Sequence, residues 1–525
     1  MAERSVGARA TPEPSGSRRR ALLTGAAAGL VALLVFLGVA ELVAIATGPD
    51  SAPSIAIGQA AINHSPEWLK QFAIRHFGEH DKTVLLAGIY TTLALLAAIV
   101  GAVSAVTRRA VGLVAIALLG IVAAISAATR PTAGQLAIAP SLIGAVAAMY
   151  AFGWIAPASS GRTNTDGGEG LTRRRALQVG GILAVAGAAG YAVGRRALQG
   201  SLDAVSSRNK VKLPPAIRTA PPTAGDTGFD VAGLSSYITP NRTFYRVDTA
   251  LVVPELQTKD YRLQLHGMVK NPVTFTYDDI IAMAMIEHDV TLTCVSDPVG
   301  GTYIGNASWQ GALLKPILER AGVSPDADQL FMTSVDGMTI GGDLLAAMDG
   351  RAAMLAVGMN GEPLPFEHGF PVRAVIPGIY GYASACKWLV DMEVTTYEAR
   401  QAYWVRNGYS AQAPIKVESR IDTPSAGQTL EAGQVAVAGV AWRQHVGISK
   451  VEVSVDGGDW AQATLAAVQS ADTWRLWRWD WQATQGRHTL KVRATDAEGN
   501  VQTARRQGVI PNGATGQEAI EVMVT

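Results

Sequence analysis

Charged residues are scarce in this sequence. Asp, Glu, Lys and Arg make up 17% of the 525 residues, and hydrophobic residues make up 48%, whereas soluble proteins carry about 25% charged residues. The mean hydropathy is +0.18. This balance excludes a chain that is disordered over most of its length and directs attention to membrane-spanning segments.

Cysteine is nearly absent. Two cysteines, Cys294 and Cys386, are too few for a disulfide scaffold, a Cys₄ zinc site or an iron–sulfur cluster. The chain also lacks a C-x-x-C-H haem motif. Its 44 basic and 43 acidic residues give a net charge of +1, and the sequence has no lysine-rich arm that would provide the electrostatic footprint of nucleic-acid binding. We therefore expect no haem, no iron–sulfur cluster and no nucleic-acid partner.

Long apolar runs dominate residues 1–200, which we predict to be a transmembrane anchor. Each run is close to the roughly 20 residues that cross a bilayer, and their many Ala and Gly residues allow close helix packing. Buried helices of a soluble protein would instead show polar faces at helical period. The predicted spans are residues 21–46, 84–106, 110–128, 136–155 and 176–194.

Arginine clusters predict the orientation of this anchor. Arg18–Arg20, Arg108–Arg109 and Arg173–Arg175 all fall on one side of a five-span weave, which the positive-inside rule places in the cytoplasm. The N-terminus is then cytoplasmic, and everything after Gly194 lies outside. Thr172–Leu177 also resembles an internal, uncleaved twin-arginine export signal, although the same arginines could mark only the cytoplasmic side.

The predicted anchor has few polar residues that could bind a cofactor or conduct an ion. The predicted spans contain no histidine, which excludes a bis-histidine haem, and Glu41 is the one carboxylate near a span. We therefore expect an anchor that could face a quinone but carries no ion path. In the outer loop, Pro66–His80 is amphipathic enough to rest on the membrane surface, and an ordinary solvated helix fits it equally well.

The remainder divides into three parts by composition. Residues 201–226, rich in Pro, Ala, Ser and Thr, are predicted to hold no helix and to form a semi-rigid spacer. Residues 227–410 alternate strand-like runs such as Tyr261–His266 and Val372–Ile376 with helical runs such as Leu313–Ala321, without a regular βαβ repeat. This pattern indicates an α+β domain.

Residues 411–525 show short alternating strands separated by turns such as Asp456–Gly458. This texture predicts an antiparallel β-sandwich of immunoglobulin type. The predicted strands are Val435–Val440, Ser449–Val455, Trp474–Trp481 and His488–Ala494.

One cysteine stands at the start of a conspicuous turn. Cys294 ends an apolar strand and opens into the sequence V-S-D-P-V-G-G of Val295–Gly301. Read alone, a cysteine there is a packed thiol, half of a disulfide with Cys386, or a functional ligand. Its neighbourhood favours the third interpretation.

From about Gly233 to the C-terminus the chain resembles the sulfite oxidase family of molybdopterin-dependent oxidoreductases. Val451–Gly458, with Trp460, is similar to the C-terminal dimerisation domain of that family. The other matching segments are Thr239–Asn241, Phe244–Arg246, Leu263–Val269, Phe275–Asp279, the Cys294 turn, Met359–Pro365, His368–Arg373, Pro377–Gly381 and Ser384–Trp388.

The resemblance implies one molybdopterin whose dithiolene holds molybdenum, with the thiolate of Cys294 as the catalytic residue and single protein ligand. A soft thiolate suits such a metal. Arg373 and Lys387 would bind the cofactor phosphate, one by its planar fork and one as a point charge, and Cys386 would be a packed free thiol. The cofactor-binding residues implied are Asn241, Tyr245, Arg246, His368, Arg373, Ser384 and Lys387.

Three departures from the family pattern concern the substrate. The turn Val295–Gly301 lacks the arginine that typical members use for sulfite, Val357–Gly358 stands where tyrosine is usual, and Gly381–Lys387 is one residue longer and lacks its arginine. An inward-facing Asp297 would also repel an anion. Sulfite is therefore a doubtful substrate.

These features together predict a membrane-anchored, outward-facing molybdopterin oxidoreductase that transfers an oxygen atom to or from a sulfur compound or an S- or N-oxide. Its partners would be a small-molecule substrate, the lipid bilayer, a membrane quinone or exported cytochrome, and a second copy through the C-terminal domain. The alternative is a non-catalytic binding protein that keeps the fold without the metal.

Overall fold

The computed structural model describes residues 15–48, 51–66, 81–130, 136–156, 173–199, 202–220 and 227–525, with isolated positions at 69, 72, 76, 77 and 134. The chain forms two compact units. The helical unit comprises Met1–Ser201 together with Thr249–Val252, and the β-rich unit comprises Leu202–Asp248 and Val253–Thr525.

Helices coincide with all five predicted spans, but only three described helices are long and apolar enough to cross a membrane: Arg18–Thr47, Thr83–Val106 and Arg109–Ala128. The helix at the fourth predicted span has 17 residues. Three of the five predicted spans are therefore candidate membrane spans by length and composition. The helices are α1 (Ser15–Thr47), α2 (Pro53–His64), α3 (Asp81–Val106), α4 (Arg109–Ala128), α5 (Ala139–Ile155) and α6 (Arg173–Gln199).

Helix α1 lies at the centre of the helical unit, packed against α3, α5 and α6. Glycine makes the closest approaches possible. A Cβ on Gly29 would lie 2.0 Å from the carbonyl oxygen of Ala97, and one on Gly38 would lie 2.2 Å from that of Gly187. Small residues at helix contacts permit this close spacing.

A few polar groups lie inside the helical unit. The Glu41 carboxylate is fully buried and accepts a hydrogen bond from the Ser54 hydroxyl at 2.5 Å, and Tyr191 donates to Tyr90 at 2.7 Å. The stretch Pro66–His80 lies largely outside the described residues, and so do the side chains of the twin-arginine-like stretch.

The prediction of a helix-free spacer is wrong at its start, because Leu202–Lys210 forms helix α7. The helix-breaking prolines begin only at Pro214, and a composition averaged over the whole segment hides the nine residues before them. Arg208 of α7 donates to the carbonyl oxygens of Leu364 and Pro363 at 2.8 and 2.6 Å. The rest of the described spacer is docked as well, since the Ile217 amide donates to the Met285 carbonyl oxygen at 2.8 Å.

Residues 227–410 combine α and β elements without repeating βαβ units, as predicted. One sheet has the order β2-β1-β10-β5-β6, and the other has the order β3-β4-β7-β8 with β9 on β7. Short 3₁₀ turns occur at Asn241–Thr243, Thr258–Asp260, Phe366–His368 and Gly381–Ala383. The elements are β1 (Arg262–Gly267), β2 (Val273–Thr276), α8 (Tyr277–Ile281), β3 (Met285–Thr293), β4 (Ile304–Leu313), α9 (Leu314–Ala321), β5 (Gln329–Ser334), β6 (Thr339–Asp343), α10 (Leu344–Met348), β7 (Met354–Met359), β8 (Glu362–Pro363), β9 (Arg373–Val375), β10 (Leu389–Thr395) and α11 (Tyr403–Arg406).

Strand β3 is the element that carries the chain to Cys294. It pairs along its whole length with β4, from Met285 opposite Ala312 to Thr293 opposite Ile304. Val290, Leu292 and Trp309 belong to one buried cluster beneath this pair. The end of β3 is therefore rigidly placed over a hydrophobic core.

The C-terminal part is a sandwich of two sheets, with orders β11-β13-β17-β16 and β12-β19-β18-β14-β15. All four strands predicted from the sequence are present. Three lie within a somewhat longer strand, and the fourth, predicted to begin at Trp474, begins at Arg475. Trp477, Val451 and Val492 lie fully buried between the sheets. The strands are β11 (Glu418–Thr423), β12 (Thr429–Leu430), β13 (Gly433–Trp442), β14 (Ile448–Val455), β15 (Ala461–Gln462), β16 (Thr464–Leu465), β17 (Arg475–Ala483), β18 (Gly486–Asp496) and β19 (Ala519–Val524).

Candidate cofactor site

Cys294 begins a closed turn directly after β3. Its amide donates to the carbonyl oxygen of Tyr303 at 2.9 Å, and its own carbonyl oxygen accepts from the Asp297 amide at 3.1 Å. The thiol is free and 9% exposed, and burial raises its pKa to about 11. Without a metal this cysteine is a neutral thiol.

Two glycines close the turn for different reasons. Gly300 has φ +78°, in the left-handed region that glycine tolerates best, and the Glu518 carboxylate lies against its Cα face. Gly301 has no room for a side chain, because a Cβ would lie 2.1 Å from Oδ1 of Asp297. That oxygen accepts a hydrogen bond from the Tyr303 amide at 2.9 Å.

Tyr245 is close enough to both Cys294 and Arg373 for their charges to affect its hydroxyl. Burial raises the pKa of its hydroxyl well above the ordinary value, Cys294 raises it further, and Arg373 opposes the rise. The ring of Tyr245 stacks on Phe244 at 5.3 Å between centroids and lies 6.4 Å from the ring of Tyr303. The structure thus brings Cys294, Tyr245 and Arg373 into one site.

Arg373 is a buried cation without an acidic partner. It is 5% exposed, its Nη1 donates to the His368 carbonyl oxygen at 3.0 Å, and its guanidinium lies 4.8 Å from the ring centroid of Trp309. Its Nε has no hydrogen-bond partner, and no carboxylate among the described residues pairs with it. Burial lowers its pKa to about 10. Burying a cation without a counterion costs free energy, so an anion that binds beside Arg373 would be stabilised.

Lys387 and Arg246 share one carboxylate. Nζ of Lys387 lies 2.6 Å from Oδ2 of Asp248, and Nε of Arg246 lies 2.8 Å from the same oxygen. The cluster of Arg246, Asp248 and Lys387 therefore keeps one net positive charge. Sequence reasoning missed Asp248, which no matching motif contained.

Asn241 and His368 are joined through the backbone. The ring nitrogen Nε2 of His368 hydrogen-bonds the Asn241 carbonyl oxygen at 3.0 Å, and burial lowers the pKa of His368 to about 4. The Asn241 amide group donates to Glu362 at 2.6 Å and accepts from Asn360 at 2.7 Å. Asn360 was also missed as a site residue, although its motif was recognised.

The side chains of Ser384 and Cys386 are both engaged within their own part of the fold. The hydroxyl of Ser384 is fully buried and lies 2.9 Å from the Ile379 carbonyl oxygen and 3.1 Å from that of Tyr380, so it is committed to the main chain. Cys386 is a free thiol with no exposed surface, packed in the hydrophobic core. A disulfide between the two cysteines is not formed.

Asp297 faces inward beside the turn. It is 3% exposed, and Oδ2 has no hydrogen-bond partner. Burial raises its pKa to about 7, and Arg420 is near enough to oppose the rise. Arg420, from β11 of the sandwich, is itself engaged, donating to Asp422 at 2.6 Å and to the Gly301 carbonyl oxygen at 2.8 Å.

Comparison with known proteins identifies the family. Residues 250–404 match the model of the oxidoreductase molybdopterin binding domain, and residues 418–492 match that of a bacterial Ig domain. The uncharacterized oxidoreductase YuiH of Bacillus subtilis (strain 168) is 36% identical over 152 residues, which cover 28% of this chain and 72% of that protein. The mitochondrial sulfite oxidase of Homo sapiens is 32% identical over 316 residues, 51% of this chain and 57% of that protein.

The chain belongs to the sulfite oxidase family of molybdopterin-dependent oxidoreductases. It spans about half the length of the mitochondrial relatives that it matches. Among solved structures, the sulfane dehydrogenase SoxCD from Paracoccus pantotrophus superimposes with a TM-score of 0.48 at 24% identity, over 55% of this chain and 81% of that one.

The residues present fit the cofactor of the family. Arg373 offers a buried guanidinium whose Nε is unpartnered, which suits a phosphate. Cys294 offers the soft thiolate, and the carbonyl oxygen of Asn241 is held in place by His368. Lys387 adds a second cation, but one that already has Asp248 as its counterion.

Proposed function

We propose that this protein is a molybdenum-dependent oxidoreductase that transfers an oxygen atom at a cysteine-ligated metal. The observation that carries the proposal is the presence of a buried, free thiol at Cys294 together with a buried Arg373 that pairs with no acid in the described part of the chain. When bound, molybdopterin supplies a metal that exchanges an oxygen atom and two electrons with the substrate. Oxidation of a substrate consumes one water and releases two protons and two electrons, and reduction is the reverse.

The residues of this chain would hold the cofactor and exclude water from it. The Cys294 thiolate binds the metal, and Arg373 binds the cofactor phosphate. Asn241, Arg246, His368, Ser384 and Lys387 line the rest of the site. Ser384 acts through the backbone, because its hydroxyl is already engaged with carbonyl oxygens.

Tyr245 completes the proposed cofactor-binding set, and Asp297 would face the substrate. The Tyr245 hydroxyl stays protonated, since burial raises its pKa well above the ordinary value, so it donates a hydrogen bond rather than carrying charge. Asp297 contributes a buried acid, and Arg420 is engaged by Asp422 and by the Gly301 carbonyl oxygen. A neutral substrate, such as a thioether, sulfoxide or N-oxide, suits this setting better than the sulfite anion.

Metal analysis tests this assignment. Expressed in a host that makes the cofactor, the wild-type protein should hold close to one equivalent of molybdenum. Cys294→Ala should abolish turnover and the thiolate-to-metal absorption, whereas the matched variant Cys386→Ala should do neither. Less than a tenth of an equivalent in the wild type would favour the alternative of a non-catalytic binding protein without metal.

A substrate screen tests the choice of substrate. Sulfite, a neutral thioether, a neutral sulfoxide and an N-oxide are each assayed with a reduced dye donor and with an oxidised dye acceptor. We expect turnover of a neutral compound at least tenfold above that of sulfite. Sulfite oxidation as the dominant activity would refute the electrostatic argument.

We also propose that residues 1–200 anchor the protein in the membrane through five spans, with the N-terminus in the cytoplasm. Residues 201–525 then lie outside. They contain the sulfite-oxidase-type domain, residues 227–410, and the immunoglobulin-like domain, residues 411–525. The three long apolar helices and the one-sided arginine clusters support this topology. A membrane quinone or exported cytochrome would then exchange electrons with the site. A reporter fused after Ser201 should be active only in an assay for exported protein, and cytoplasmic activity would contradict the topology.

A second copy of the chain could pair through the C-terminal domain, as the resemblance to the dimerisation domain of the family suggests. Light scattering of the detergent-solubilised protein, with and without residues 411–525, would measure the assembly. A monomer for the full-length chain would contradict this part of the proposal.

A further inference from the structure

The edge of strand β3 is covered by a loop of the immunoglobulin-like sandwich. The amide of Thr291 donates to the carbonyl oxygen of Asp472 at 2.9 Å, and the hydroxyl oxygen of Thr291 accepts from the Trp474 amide at 2.8 Å. Thr291 lies three residues before Cys294, on the strand that delivers the thiol. The loop therefore continues the sheet at the edge that β4 leaves open.

Asp472 links this loop to two histidines. Its Oδ2 lies 2.8 Å from Nε2 of His288, on β3, and its Oδ1 lies 2.7 Å from Nδ1 of His445, in the loop after β13. Both carboxylate oxygens are thus engaged, and the side chain is 7% exposed. Burial opposes ionisation, but the hydrogen bonds from both histidines outweigh it and hold the pKa of Asp472 at about 2.

Gln444 adds a second set of contacts closer to the thiol. Its Nε2 donates to the Thr291 carbonyl oxygen at 3.0 Å and to the Thr293 hydroxyl oxygen at 3.1 Å. The side chain is 1% exposed. The sandwich therefore holds β3 at His288, Thr291 and Thr293, the last of which directly precedes Cys294.

We propose that Asp472 is a positioning residue for Cys294. Through this residue and Gln444, the immunoglobulin-like sandwich fixes the position of the end of β3 that carries the thiol. A slip or twist of an edge strand displaces every side chain beyond it, and a metal site requires its ligand to be held within about 0.5 Å. In addition to the pairing of β3 with β4, Asp472 holds β3 at two points. Its carboxylate contacts His288, and its main-chain carbonyl oxygen accepts from the Thr291 amide.

The experiment measures the Cys294 thiol in the metal-free, full-length protein, so that it reads the position of the thiol without the cofactor. Asp472→Asn keeps the volume but removes the charge and one acceptor. We expect iodoacetamide to alkylate Cys294 at least tenfold faster than in the wild type, as measured by mass spectrometry. The Cys386 thiol, in the core of the same protein, should react at an unchanged rate.

The matched control is Asp480→Asn, which removes an exposed acid that pairs with Arg478 on β17 at 2.8 Å and touches nothing near β3. It should leave both rates unchanged. If Asp472→Asn does not fold, His445→Ala provides the second test, because the His445 side chain is 41% exposed and its loss removes one of the two histidine contacts to the Asp472 carboxylate. A threefold or greater acceleration at Cys294 is then expected.

Equal acceleration at Cys294 and Cys386 would mean general opening and would overturn the positioning role, as would a Cys294 rate within twofold of the wild type. The role in catalysis rests on the proposed function. In the loaded protein, Asp472→Asn should shift the thiolate-to-metal absorption band, and Asp480→Asn should not. Absence of molybdenum from the wild type would refute the proposed function alone, since the alkylation result stands without the metal.

Discussion

The amide of Cys294 donates a hydrogen bond to the carbonyl oxygen of Tyr303 at 2.9 Å, across the full turn that separates them. The Tyr303 amide in turn donates to Asp297 inside the turn. The thiol is therefore placed by a loop that is hydrogen-bonded both across its base and within itself. Changes that open this loop should release the metal even when the rest of the fold persists.

Gly301→Ala should open it. The new Cβ would lie 2.1 Å from Oδ1 of Asp297, so the carboxylate must move away and give up the Tyr303 amide. We expect at least a fivefold loss of bound molybdenum and a decrease of about 1–3 kcal/mol in the free energy of unfolding, the usual cost of an extra buried methyl without space. Gly508→Ala is the control, because a Cβ there would meet nothing within 4 Å beyond its chain neighbours. A Gly301→Ala protein with full metal content would contradict the role of the turn.

Arg373→Met should separate cofactor binding from stability. Removing a buried cation that has no acidic partner relieves its desolvation and offsets the two lost hydrogen bonds, so the free energy of unfolding of the metal-free protein should stay within about 1 kcal/mol of the wild type. Bound molybdopterin should fall at least tenfold. Both quantities are measured on the same preparation, by chemical denaturation and by fluorescence of the oxidised pterin. Retention of the cofactor would remove Arg373 from its proposed role.

Lys387→Met gives the contrasting case. Lys387 pairs with a buried Asp248, so its loss removes one of the cations that this carboxylate contacts. We expect the free energy of unfolding of the metal-free protein to fall by about 1–3 kcal/mol, the usual cost of a buried charged group that loses a partner. The same denaturation assay measures it. A smaller effect than that of Arg373→Met would show that the cluster of Arg246, Asp248 and Lys387 is not stabilised as proposed.

The stability of the metal-free protein should depend on pH through His368. Burial lowers the pKa of this residue to about 4, whereas an unfolded chain takes up the proton near pH 6.5. The unfolded state therefore binds more protons between these values, and stability should fall as pH decreases from 6.5 to 4. Urea unfolding at several pH values should show a smaller decrease for His368→Asn.

His488 supplies a control of opposite sign. A hydrogen bond to Asp456 raises the pKa of His488 above its ordinary value, so its contribution is complete below pH 6.5 and is lost as pH rises through the raised value. In a plot of the free energy of unfolding against pH, His488→Asn should therefore reduce the loss of stability above pH 6.5. It should leave the decrease below pH 6.5 unchanged. An identical pH profile for the wild type and His368→Asn would refute burial as the cause of the dependence.

Much of the organisation could be predicted from the sequence because local signals were strong. Uncharged apolar runs marked the helices of the helical unit, alternation marked the strands of the sandwich, and the cysteine turn with its flanking motifs marked the family. The spacer was mispredicted because α7 depends on docking, with Arg208 bonded to two carbonyl oxygens far along the chain. Composition carries no information on such contacts.

The partners of the site residues could be identified only from the tertiary structure. Lys387 and Arg373 are both basic residues within matching motifs, yet only the fold gives one of them Asp248 as a counterion and leaves the other without an acid. The hydrogen bonds of the Ser384 hydroxyl to main-chain carbonyl oxygens could not be predicted from the sequence either. Those oxygens belong to a turn whose backbone path the sequence does not specify.

The sequence by itself determined that a thiol would stand at the end of an apolar strand, before a turn rich in glycine and proline, because these properties depend on a few adjacent residues. Only the tertiary structure decided what holds that thiol in place. His288, Asp472 and His445 are separated by up to 184 residues, and they meet because the sandwich packs along an open strand edge whose unpaired amides need partners in the interior.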